Sequence, residues 1–204
     1  MTGRNTPPKP SCFDNNTIIE TISGNKMIQE ITSGTILKNG DKVTAVFKLA
    51  YSGCDIYNLD DIIVTGNHKV FDDNLGWINT SDHSNSIKIN NYNESAIYCL
   101  NTASKRITIG KYKFLDWDEL EPIDIIKLKN LHYLSKNASL SEIHRNLESG
   151  IHGDTLLELD NGHSVKIKDI KLNDQLKFGE RVIGIAEINT SDIRNVKKYS
   201  WKHF

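Results

Sequence analysis

The sequence predicts a mostly β protein: a pseudo-twofold fold of two related β subdomains with a short helical insertion between them. Three observations predict it. Short apolar runs rich in Ile, Val, Thr and Tyr are interrupted every few residues by Gly, Asn and Asp, as strands are by turns. The apolar spacing switches to a helical period over roughly 118–150 and nowhere else. One pattern of about 30 residues occurs twice.

The chain has 204 residues, 38% of them hydrophobic and 25% charged, with a formal net charge of −1. That length supports one good core or two small subdomains. The balanced charge gives no global attraction to nucleic acid or to an anionic membrane, and neither is expected as a partner. No apolar run reaches the roughly 18 residues of a membrane span, and the polar start has no secretory apolar region.

Taken in order, residues 1–11 hold three of the four prolines, Pro7, Pro8 and Pro10, and read as a flexible lead. The domain is expected over 12–204. Thr17-Ile18-Ile19-Glu20 is strand-like and Ser23-Gly24-Asn25 a turn; Met27 to Ile31 is a second short apolar stretch. Asn39-Gly40-Asp41 turns the chain into Lys42 to Leu49, which alternates as a half-buried strand should. Asp61 to Val64 runs into Thr65-Gly66-Asn67-His68 and Lys69-Val70-Phe71. Ile87 to Ile89 and Ala96 to Leu100 are further strands, and Arg106 to Phe114 reads as a hairpin around Gly110.

Pro122 then sits where a first helical turn tolerates it, and Ile123, Ile126, Leu128, Leu131 and Leu134 form a helical stripe. Ser139 with Glu142 has capping-box spacing, and Gly150 is a stop, so a helical pair is expected.

The repeat follows. Thr17-Ile18-Ile19-Glu20 matches Thr155-Leu156-Leu157-Glu158, and Gly24 matches Gly162. After a one-residue slip, Ile31, Leu37, Gly40 and Val43 match Ile170, Leu176, Gly179 and Val182. The repeats span 12–49 and 153–188. Two copies are too few for a solenoid and suggest two halves that pair strands with each other.

Three widely spaced cysteines, Cys12, Cys54 and Cys99, do not make a disulfide framework and suggest a cytoplasmic or other reducing compartment. Cys12 stands where the Pro-rich lead meets the first repeat. A Cys can attack the carbonyl on its own amino side, here that of Ser11, through a five-membered tetrahedral intermediate that collapses to a thioester. The thiol needs a base or a lowered pKa, the leaving amide nitrogen needs a proton, and the oxyanion needs fixed donors.

Cys12-Phe13, then Thr65-x-x-His68, on a duplicated β pattern, together resemble the Hint family of hedgehog C-terminal domains, inteins and bacterial intein-like domains. Tyr98-Cys99-Leu100 resembles a later motif of that family, whose middle position is usually Asp and sometimes Cys. The stretch Tyr98 to Glu119 further looks like Hint-type proteins of large DNA viruses. The resemblance implies protein self-cleavage by an N-to-S acyl shift at the Ser11–Cys12 bond. In it, Cys12 is the nucleophile, His68 touches the scissile amide nitrogen, and Thr65 holds that bond or its oxyanion. The partner is the chain's own N-terminal flanking peptide, with water or a small thiol as acceptor.

Cys99 is either an acid/base or second nucleophile near Cys12, or a small buried hydrophobe. Cys54 reads as an idle loop thiol, and Asp55 fits the position of the hedgehog-type catalytic Asp poorly. The chain ends Tyr199-Ser200-Trp201-Lys202-His203-Phe204 without the His-Asn of splicing inteins, so only the N-terminal step is expected. Hedgehog-style sterol transfer is not expected. The competing expectation is a catalytically inactive Hint-like module that serves as a structural or interaction domain. An ordinary thiol hydrolase acting in trans is a third reading, and nothing in the sequence suggests its substrate.

No cofactor or metal is expected. His132, His144, His152 and His163 lack ligand spacing, and there is no P-loop or dinucleotide fingerprint. Asp116-Trp117-Asp118-Glu119 could attract a cation and more simply supplies acids to the following helix N-terminus.

Overall fold

Antiparallel pairing organises the chain around its first strand. A computed structural model describes residues 10–131, 139 and 150–192. Strand β1 is only Phe13–Asp14, yet it lies inside the largest sheet. It is flanked by β6, Ile62–Thr65, and by β10, Ala96–Thr102, with Phe13 opposite both Val64 and Tyr98.

The hairpin β2–β3, Ile18–Thr21 and Gly24–Met27, follows β1 and leads through a short 3-10 turn, Ile28–Glu30, to β4, Val43–Ala50. Strand β5, Ile56–Leu59, precedes β6 in a tight hairpin. Its two turn residues, Asp60 and Asp61, both take positive φ, 46° and 69°, the backbone that suits a two-residue hairpin turn. Strands β7, Lys69–Asp72, and β8, Gly76–Asn79, come next, then β9, Ser86–Ile89, and β10. A hairpin of β11, Arg106–Ile109, and β12, Tyr112–Leu115, turns at Gly110.

After helix α1, Pro122–Leu131, come the hairpin β13–β14, Leu156–Glu158 and Ser164–Lys166, and strand β15, Gly184–Ile188. The seven-stranded sheet runs β15-β4-β10-β1-β6-β5-β9, and a four-stranded sheet runs β11-β12-β7-β8.

Two sequence expectations shift. Val43 to Val46 of β4 are all buried, so both faces of its first half are covered, whereas Phe47, Lys48 and Leu49 keep the half-buried alternation expected. In α1, Ile123, Ile126 and Leu131 are exposed and no residue of the helix is buried. The second helix expected over 139–150 falls largely outside the described residues. No helix among the described residues is long and apolar enough to cross a membrane.

The two repeated segments share their backbone hydrogen bonds. Ile28 N donates to Thr17 O as Ile167 N donates to Thr155 O, at 2.8 and 2.9 Å. Leu37 N to Asp41 O recurs as Leu176 N to Glu180 O, both 2.8 Å, and the isolated bridge Thr21–Leu37 recurs as Leu159–Leu176. The one-residue slip sits in the hairpin turn. Ile22 and Ser23 connect the first pair of strands, whereas Asp160, Asn161 and Gly162 connect the second.

The two halves meet through β4 and β15, which pair antiparallel with Phe47 opposite Ala186, its own counterpart in the repeat. On either side the pairs are reciprocal, Val46 with Glu187 and Lys48 with Ile185. Ala50 N bonds Ile183 O at 2.9 Å as Asn189 N bonds Thr44 O at 2.8 Å. The pseudo-twofold axis therefore passes through the Phe47–Ala186 pair, the arrangement of an isologous interface inside one chain.

Candidate functional site at the Ser11–Cys12 bond

Thr65 is the last residue of β6, and there the strand turns away from β1. Its N–H still makes the next rung of the ladder, donating to Cys12 O at 2.9 Å. Its carbonyl accepts instead from His68 N at 3.1 Å, closing a turn over Thr65 to His68. Cys12 N–H thus lacks a main-chain acceptor, and the Thr65 hydroxyl supplies one: Cys12 N donates to Thr65 Oγ1 at 3.0 Å. A buried amide needs such a partner. The result is that the nitrogen of the Ser11–Cys12 bond is held by the hydroxyl of the Thr-x-x-His motif.

The turn itself is pinned on both sides. Gly66 N donates to Asp55 O and Ser81 N to Gly66 O, both at 2.9 Å. Gly66 is required by space, since a Cβ there would stand 2.5 Å from the Tyr57 ring. Asn67 Nδ2 donates to Ser11 Oγ at 3.0 Å. A cleft of about 210 Å³ lined by Asp55, Tyr57, Gly66, Asn67, Asn79 and Ser81 lies beside it.

His68 is fully buried against Phe13 and Phe114, with ring centroids 4.5 and 5.5 Å away. Its Nε2 lies 2.9 Å from Leu115 O, and its Nδ1 is buried without a hydrogen-bond partner of good geometry. Burial lowers its pKa to about 4, against the opposing pull of the Leu115 and Cys12 backbone groups. The ring is therefore neutral at pH 7. The Leu115 contact assigns the proton to Nε2, which leaves a lone pair on Nδ1.

Cys12 and Cys99 are both fully buried. The register that pairs Phe13 with Tyr98 carries on to set Cys12 beside Cys99 on the same face of adjacent strands. Burial pushes the Cys12 thiol well above its usual range, with further contributions from Cys54 and Glu119. Cys99 is raised the same way, by burial and then by Cys12 and Asp116. Its Sγ lies 3.8 Å from Leu100 O. Both thiols rest protonated, so attack by Cys12 requires proton removal in step with bond formation.

The structure thus brings Ser11, Cys12, Thr65, His68 and Cys99 together. It departs from the sequence reading at two places. Cys54 is a loop residue but is buried, and its charge would be felt at Cys12. Asp55, a poor fit for a catalytic Asp in the sequence, has a side chain 55% exposed and pairs with Lys88 at 2.9 Å. Asp116 and Asp118 do not serve the helix N-terminus. They hold Lys105, fully buried, with Nζ 3.5 Å from Asp116 Oδ2 and 2.7 Å from Asp118 Oδ2. A buried ammonium needs such partners, and the nearest carboxylates are recruited to it.

Burial pushes the Asp116 carboxyl up to about 7 even with Lys105 opposing. Glu119, at a backbone φ of 49°, has Oε1 buried without a hydrogen-bond partner, and its charge acts on both thiols. Sequence reasoning gave no role at this site to Glu119, Asn67 or Lys105. The signal available was the two unassigned positions of Thr-x-x-His and the acidic run, which was read as serving the helix.

Among the described residues no group of three or more His, Cys, Asp and Glu side chains stands ready to hold a metal ion. His152 and His163 are exposed, and His132 and His144 lie outside the described residues.

No family model and no curated protein matches the chain. Among solved structures the chain is similar to the crystal structure of the gp41-1 intein, with 20% identity and a TM-score of 0.42, over 53% of this chain and all of that one. A triply substituted form of the same intein gives 17% identity and a TM-score of 0.41, over 52% of this chain and 99% of that one.

Proposed function

We propose that the chain is a Hint-type self-processing domain that cleaves its own Ser11–Cys12 bond. Repeats 12–49 and 153–188 are read as one duplicated unit interrupted by an insertion at about 118–150. The observation that carries the proposal is the contact of Thr65 Oγ1 with the Cys12 amide nitrogen, 3.0 Å long and buried, beside an imidazole with an unpartnered Nδ1.

The step balances as an acyl shift. Cys12 Sγ–H gives up its proton as sulfur attacks the Ser11 carbonyl carbon. The tetrahedral intermediate loses its C–N bond, and the departing nitrogen takes up a proton to become the free amine of Cys12. Ser11 is then joined to Sγ as a thioester. His68 Nδ1 is the group suited to carry the proton between sulfur and nitrogen, because it is neutral and unpartnered at pH 7. Thr65 keeps the amide nitrogen from rotating away. Water or a small thiol resolves the thioester. A reducing compartment suits this chemistry because Cys12 must remain a free thiol.

The full burial and raised pKa of Cys12 favour a second reading, a catalytically silent module that keeps the fold. Mass spectrometry of freshly purified protein separates the two. Incubation with dithiothreitol or hydroxylamine is expected to release residues 1–11, and Cys12→Ala to stop the release. A mass unchanged after days with thiol sinks the cleavage reading.

A further inference from the structure

All four residues of the Thr65–His68 turn have a contact, and one of them falls on the acyl side of the bond. Ser11 is 6% exposed, and its Oγ accepts from Asn67 Nδ2 at 3.0 Å. Cys12 N, on the amine side, donates to Thr65 Oγ1. Two side chains of one rigid turn therefore grip the two sides of the same peptide bond. The turn cannot easily yield: Gly66 is packed against Tyr57, and His68 O accepts from both Thr80 N and Thr80 Oγ1 at 2.8 Å.

We infer that Asn67 reads the residue on the acyl side of the scissile bond and makes the site selective for a small hydroxyl side chain at position 11. The inference rests on the cleavage reading above and deepens it by naming the class of flanking residue the site accepts. An amide donor that meets a buried hydroxyl favours a residue that carries one, because the Asn67–Ser11 hydrogen bond is lost when an apolar side chain takes the buried place of Ser11. The hydrogen bond also fixes the Ser11 side chain and with it the orientation of the adjacent carbonyl, whose carbon must meet Cys12 Sγ. Asn67 meets the Ser11 side chain, so it acts as a specificity and positioning residue.

Thr and Val at position 11 have nearly the same shape and differ in the hydroxyl, so their rate ratio isolates this contact. Ser11→Thr and Ser11→Val are made in the full chain, each with and without Asn67→Ala, and hydroxylamine cleavage is followed by mass. With Asn67 present, the Thr variant is expected to cleave about five- to tenfold faster than the Val variant. With Asn67→Ala the ratio is expected to fall to about one. A ratio near one with Asn67 in place overturns the inference while leaving the cleavage reading standing, as does a ratio that survives Asn67→Ala. Should the unsubstituted protein not cleave at all, the cleavage reading fails. The contact is then read from unfolding of Ser11→Ala, Asn67→Ala and the double variant. Effects that add independently overturn it, and a double variant no worse than either single one shows that Asn67 holds Ser11.

Discussion

The two repeated segments have one backbone and two fates. Ile19, Ile28, Ile31 and Leu37 of the first are buried in the core. Their counterparts Leu157, Ile167, Ile170 and Leu176 are none of them buried, and Leu156, Phe178 and Ile183 nearby are exposed. Yet outside the hairpin turn, which differs by one residue, the main-chain hydrogen bonds named above agree. The comparison separates two causes that are usually entangled. Turn residues and local hydrogen bonds are enough to specify the path of such a hairpin. Whether its apolar side chains are buried depends on what else is stacked on it. The first segment contacts β10 and β11, and no counterpart of those strands covers the second among the described residues.

The largest expected difference comes from truncating equivalent side chains. Ile28→Ala removes a fully buried group and is expected to cost about 2–5 kcal/mol, whereas Ile167→Ala, half-buried, should cost under about 1 kcal/mol. Urea unfolding of the two variants checks this. Equal losses would show that the second segment is covered in solution.

The buried carboxyl of the covered half provides the next test. Asp116 titrates near 7 in the fold and near 3.8 when exposed, so it favours the folded state below about pH 3.8 and loses that contribution as pH rises through 7. Relative to the unsubstituted protein, Asp116→Asn is therefore expected to gain stability as pH rises from 4 to 7, by roughly 3–4 kcal/mol at most. His68 has the opposite sign. Its pKa is lowered from 6.5 to about 4, so its contribution is present above 6.5 and lost as pH falls to 4. Denaturant titrations of both proteins across that range give the difference curve directly. A flat curve would mean that Asp116 keeps its usual carboxylate pKa.

Smallest of all should be the one comparison in which both segments are equally exposed. Lys38 pairs with Glu20 and Lys177 with Glu158, both at 2.7 Å and both near solvent. Glu20→Gln and Glu158→Gln are each expected to change stability by under about 1 kcal/mol, and by the same amount. A clear inequality would mean that the repeat differs in more than its cover.

Much of this architecture was legible in the residues. The Thr-h-h-Glu pattern marks two hairpins because a short apolar run between polar residues, with a glycine beyond it, reads as a strand running into a turn. Cys12, Thr65 and His68 were singled out by the resemblance of their order, on a duplicated β pattern, to a known family. Asn67 and Gly66 could not be valued, because one meets Ser11 and the other Tyr57, contacts between residues far apart in the chain. The acidic run Asp116 to Glu119 was open to misreading for the same reason. Its partner Lys105 is buried beneath it, which nothing in the local sequence announces.

By itself, then, the sequence determined the repeat, its turns and many of the short strands, since each follows from residue types a few positions apart, and it marked Cys12 through a family resemblance; β5 and β8 were not legible in it. The tertiary structure decided which copy of the repeat is covered, that Cys12 lies beside Cys99, and that His68 is held neutral. Those outcomes depend on burial, and burial is set by the whole fold.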